Sequence, residues 1–169
     1  MDDQPIVNKI ANAGLNVLEM SRFTSDEPIL SIDIKDQLWQ GIALKEKDFR
    51  AFISSTDWSA YANKYVAVYC SVDAIIPNWA FMLIASSLAP HTQHIFFGSP
   101  EQYASHIVRE RIEKLDLDEF RDQRVMVKGC GDKSIDFSAF GALTTRLTPV
   151  VKSLMFGEPC STVPVYKRK

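Results

Sequence analysis

KYVAVYC, residues 64 to 70, is Lys64 followed by an unbroken apolar run that ends on a cysteine. A run this short, rich in β-branched and aromatic residues, fits a strand in the middle of a parallel sheet, where both faces are buried. The next segment reads as a helix. DAIIPNWAFMLIASSLAP (73–90) is largely apolar, with Asp73 as a candidate N-cap and Pro77 in the first turn, where proline is tolerated. HIFFG (94–98) is again a short apolar strand. SPEQYASHIVRERIEKL (99–115) is an amphipathic helix opened by Ser99 and Pro100.

The pattern extends in both directions. RVMVKGC (124–130) reads as another strand, and DFSAFGALTTRLTPVVKSLMFG (136–157) as helical, kinked or broken near Thr148-Pro149 and stopped by Gly157. Upstream, PILSIDIK (28–35) alternates Leu30, Ile32 and Ile34 with Ser31, Asp33 and Lys35, the pattern of a half-buried strand. Residues 4 to 20 suggest a short helix stopped by Gly14 and then a strand through Leu15 and Val17, which is expected to pair with 28–35. LKEKDFRAFISS (44–55) spaces its apolar residues helically, and Asp57 is a candidate N-cap for DWSAYANK. Strands alternating with helices of this length predict an α/β layered fold, with a mainly parallel central sheet and helices on its faces. With no repeat, low-complexity stretch or linker, the 169 residues are expected to form a single α/β domain.

Composition narrows the function. Apolar residues make up 46% and charged residues 24%, as in a soluble globular protein. Lys167, Arg168 and Lys169 close the chain; taking them from the 19 basic residues leaves 16 against 21 acidic ones. A body of that sign does not attract a phosphate backbone, so nucleic-acid binding is not expected. The longest apolar stretch, 74–89, is too short for a bilayer and carries Pro77, Asn78 and two serines, so no membrane span is expected. No secretory leader pattern opens the chain, and three cysteines point to reduced thiols in a cytoplasm.

Those cysteines form the sharpest constellation in the chain. Cys70 and Cys130 each end a strand, and ligands of open α/β sheets bind outside the carboxyl ends of strands. Cys160, in GEPCSTVP (157–164), sits in a proline-bracketed loop able to fold back over the same edge. Three thiolates suit zinc, with a fourth position open, or an iron–sulfur cluster with one corner free. Asp73 and Glu158 are the nearest candidates for a fourth ligand. There is no C-x-x-C, however, and three unrelated buried cysteines are the plainer alternative. A helix N-terminus after Cys70, or Lys128 and Lys133 near Cys130, also suits a reactive thiolate that carries a persulfide or a substrate adduct.

VKGCGDK (127–133) has its own reading. Gly129 and Gly131 leave the thiol uncrowded, and their backbone amides with Lys133 suit an anion nest, although a simple turn explains the same residues. Dinucleotide and P-loop signatures are absent, and no arginine stands where a cysteine phosphatase needs one. His91 and His94 in PHTQH fit a surface loop as well as a metal, and Trp39, Trp58 and Trp79 read as core and interface anchors.

YCSVDAIIPNWAFMLIAS, VKGCGDK and GEPCSTVP, with LKEKDFR and DWSAYANKYVAV ahead of them, together resemble the domain-of-unknown-function family 2480 of small cytosolic bacterial proteins, over nearly the full chain. The positions matching Cys70, Cys130 and Cys160 fall in that family's most recognisable motifs. The resemblance implies a neighbourhood of Suf-type iron–sulfur assembly, with assembly proteins as partners, and no defined activity. The expectation is therefore an accessory of iron–sulfur or sulfur metabolism that binds a metal, a cluster or persulfide sulfur through three cysteines. A protein-binding adaptor with structural cysteines is the alternative, and a small-molecule enzyme at the GCGDK edge a third. Oligomeric state, including a homo-oligomer, is left open.

Overall fold

A computed structural model describes residues 14–129, 135–158 and 161–169. Two compact units share the chain: Met1–Thr24 with Ile107–Lys169, and Ser25–His106. The class is α/β with mostly parallel strands, as the alternation of strands and helices predicts, and the strands are divided between two sheets.

The central unit is built on β2 (Ile29–Asp33), β3 (Tyr65–Tyr69) and β4 (Ile95–Phe97), all parallel, with β3 in the middle. Val66 and Val68 join a core with Phe49 of α1 (Glu46–Ser55) and Ala80, Ile84 and Leu88 of α2 (Asn78–Leu88). Ala67, pointing the other way, is also buried. Burial on both faces is why this strand carries no polar residue. α2 starts later than its sequence suggests. Its first residue is Asn78 with Pro77 as the cap position, so Asp73 does not cap it: the residue before a proline is steered away from helical backbone. Asp57 does cap the short 3-10 turn at Trp58–Tyr61, its carboxylate accepting from the Ser59 N–H at 3.0 Å.

The other unit holds β1 (Leu15–Glu19), β5 (Arg124–Lys128), β6 (Ser153–Glu158) and β7 (Ser161–Lys167), in the order β1-β5-β6-β7. β1 pairs with β5, not with β2, and the first three of these strands are parallel. Leu18, Val125, Val127 and Leu154 pack against Ala139, Leu143 and Leu147 of α4 (Phe137–Leu147) and against Val108 and Ile112 of α3 (Pro100–Glu113). The helix expected from 136 to 157, kinked or broken near Thr148-Pro149, ends at Leu147. Pro149 cannot continue it, and the chain turns into β6, where Leu154 is buried between the half-buried Ser153 and Met155. Gly157 is not a helix stop but part of the β6–β7 hairpin. Its φ of 130° is open to glycine, and a Cβ there would stand 2.3 Å from the Ser161 carbonyl oxygen.

Candidate functional site

Cys70 follows β3 directly and is a free, half-buried thiol. It lies in a crevice of about 440 Å³ at the carboxyl ends of β3 and β4, shared with Asp73, Phe81, Phe97, Gly98 and Gln102. Phe81 and Phe97 meet edge to face at 5.8 Å along one wall.

Asp33, at the end of β2, sets the backbone beyond the thiol. Its carboxylate accepts the N–H of Ser71 at 3.1 Å and that of Lys35 at 3.0 Å. Burial pushes the Asp33 carboxyl up, but the Ser71 side chain, the two backbone N–H groups and the Lys35 ammonium together hold it below the usual carboxylate range. The far wall is the start of α3. The Ser99 N–H donates to the Gln102 side chain at 2.8 Å and the Ser99 hydroxyl to Glu101 at 2.6 Å, so side chains of the helix occupy the groups at its own N-terminus. Cys70 and Asp73 share this crevice. No cluster of three metal-ligating side chains occurs among the described residues.

A second strand edge lies in the other unit. Gly129 comes directly after β5, and Glu158 ends the neighbouring β6. The Lys128 ammonium stands 3.2 Å from Glu158 and 3.5 Å from Glu19 of β1. Glu158 and then Glu19 raise the affinity of that ammonium for its proton. Glu158 is therefore engaged by a cation, and a metal taking it as a ligand would displace Lys128. Gly129 has no left-handed backbone, and a Cβ there would make an ordinary 3.8 Å contact with Phe156. Cys130, Gly131, Lys133 and Cys160 lie outside the described residues.

The single sheet edge expected for Cys70 and Cys130 is two edges, because β3 and β5 belong to different sheets. The segment around Cys160, read as a loop, is flanked by the paired residues Glu158 and Ser161 of the β6–β7 hairpin. Since β5 and β6 are parallel neighbours, the described residues leading into Cys130 and Cys160 end on the same edge.

Sequence reasoning missed where the apolar surface is exposed. Trp58 is buried, its indole N–H donating to the Ile53 carbonyl at 2.8 Å, and Trp79 packs on Phe49 at 5.7 Å. Trp39 is different. It is 48% exposed, close along the backbone to exposed Ile42 and Ile75, which are linked by an N–H to carbonyl bond of 3.2 Å, and Lys45 sits 4.3 Å over its ring. In the other unit Phe137, at the start of α4, is 85% exposed. A phenylalanine placed right after a helix N-cap, before the core stripe begins, is the signal that marks it.

No helix among the described residues is long and apolar enough to cross a membrane. No curated protein and no solved structure matches the chain. A family model described as protein of unknown function (DUF2480) matches residues 4–168, which carry every residue placed above, and the chain belongs to that family.

Proposed function

We propose that this chain is a cytoplasmic accessory protein of iron–sulfur or sulfur metabolism that takes a metal ion, a cluster or persulfide sulfur through Cys70, Cys130 and Cys160. The observation that supports it is the pairing of β5 with β6. Lys128 and Glu158, each two residues before a cysteine, are in contact at 3.2 Å. Each cysteine follows its anchor by two residues, and chain reach is about 3.5 Å per residue, so the reading asks both thiols to meet near this edge. Cys70 itself lies in the crevice beside Asp73. Zinc would accept three thiolates and leave a fourth position for a partner or for Glu158.

The experiment is elemental analysis with a visible absorption spectrum, on untagged protein purified without oxygen. Near-stoichiometric zinc or iron, lost when any one cysteine is replaced by serine, is the expected result. Metal retained in Cys70→Ser but lost in the other two would reduce the site to the β5–β6 edge. A colourless, metal-free protein with three freely titrating thiols and no labile sulfur sinks the reading.

A second reading, a protein-binding adaptor with structural cysteines, is favoured by Trp39, Ile42 and Ile75, three large apolar side chains exposed close together along the backbone. Under it, serine at each cysteine leaves partner binding intact, while Trp39→Ala abolishes it.

A further inference from the structure

α4 covers the face of its sheet above β5 and β6 and stops short of β7. Leu143 and Leu147 are buried there with Val125 and Leu154, but β7, the edge strand, is exposed along nearly its whole length. Between α4 and β7 an apolar groove of about 430 Å³ remains, walled by Phe140, Phe156, Val163 and Val165, with Phe137 at its rim. Among its described lining residues none is charged, and Thr144 is the one polar side chain.

The register explains the width of the exposed stripe. Met155 pairs with Pro164 and Leu154 with Tyr166, so Val165 is an extra residue with no partner on β6, and it joins Val163 in lining the groove. Pro164 lacks an N–H, which blunts β7 against pairing with a foreign strand. An occupant is therefore set onto the face of the sheet and not along its edge.

The exposed amounts are large: 85% for Phe137, 63% for Val163, 49% for Val165 and 41% for Phe156. With about 200 Å² for an aromatic side chain and somewhat less for valine, the four leave roughly 400 Å² of apolar surface in one patch. That is the size of the largest patch on an ordinary monomer, and about half of the ~800 Å² that each partner buries in a standard interface. The patch also holds both a projecting ring and a groove able to receive one, which is the self-complementarity that a twofold interface requires.

We propose that a second copy of this chain covers the groove, the two molecules packing α4–β7 face to face about a twofold axis, with Phe137 of each in the groove of the other. The surface uses none of the three cysteines, so the inference stands apart from the metal reading.

The test is sedimentation equilibrium in excess reductant, from low-micromolar to several hundred micromolar protein, on the natural chain and on Phe137→Ser and Val163→Asp. The natural chain is expected to show a concentration-dependent dimer. Each substitution is expected to raise the dimer dissociation constant by about a hundredfold or more, because the residue occurs twice in the interface. Both side chains are exposed, so the far-ultraviolet circular dichroism of the variants stays that of the natural chain. A monomer throughout the range overturns the proposal, as does a dimer that neither substitution weakens.

Discussion

The Lys128 ammonium lies between two carboxylates, 3.2 Å from Glu158 and 3.5 Å from Glu19, and so joins the carboxyl ends of β1, β5 and β6. Among the described residues it is the ion pair that fastens the segments leading to Cys130 and Cys160 to each other.

This contact gives a pH signature. Glu158 and Glu19 raise the proton affinity of Lys128, so its contribution to stability is full below the ordinary lysine pKa of about 10.4 and fades as pH climbs through the raised value. Urea melts of the natural chain and Lys128→Met should differ at pH 8, and the difference should shrink as pH rises past the ordinary lysine value. A difference that is constant across this range would show that Lys128 acts through packing alone.

Two glycines should respond with opposite sign. Gly157→Ala places a Cβ against backbone at a φ of 130°, and a loss of about 2 kcal/mol is expected. Gly141 lies on the exposed side of α4 with nothing within 4 Å of a Cβ, so Gly141→Ala should gain about 0.5–1 kcal/mol through helix propensity. Denaturant midpoints decide this, and a shared sign would count against the hairpin geometry.

Asp33 holds the backbone just after Cys70. Its carboxyl is below the usual range, so its contribution is present above the unfolded value of about 3.9 and is lost as pH falls through the lowered one. Asp33→Asn should flatten the acid limb of the stability curve there. In a background with Cys130 and Cys160 replaced by serine, it should also speed maleimide labelling of Cys70, because Ser71 loses a charged acceptor. Unchanged labelling would mean that other contacts hold the crevice.

Phe49 is fully buried and touches Phe52 and Trp79 with ring centroids 5.6 and 5.7 Å apart. Phe49→Ala should cost about 3–4 kcal/mol and Phe49→Leu about 1 kcal/mol, read by urea unfolding with tryptophan fluorescence as the probe. Near-equal costs would mean that the cavity collapses and that the aromatic cluster packs loosely.

Much of the local structure was legible in the chain itself. The unbroken run at 65–70 marks a strand buried on both faces, the alternation at 28–35 a strand with one wet face, and Ser99-Pro100 the start of α3, because each pattern reports a burial that the segment meets over its own length. The stretch 150–157 was not legible. VVKSLMFG is short and apolar, its periodicity fits a helix or a strand, and the choice fell to the open edge of β5 beside it.

The same limit governs the site. From its sequence alone the chain determined which residues could carry chemistry: three thiols, two of them at strand ends, and a few carboxylates nearby. Strand neighbours, in contrast, are settled by competition among apolar faces far apart in sequence. Leu15 pairs with Arg124 across more than a hundred residues, and β3 and β5 fall into different sheets. No local window carries that information. The tertiary structure alone therefore decided that the described residues leading into Cys130 and Cys160 end on one sheet edge, that Cys70 follows a strand of the other sheet, and that the described residues leave the face between α4 and β7 without cover.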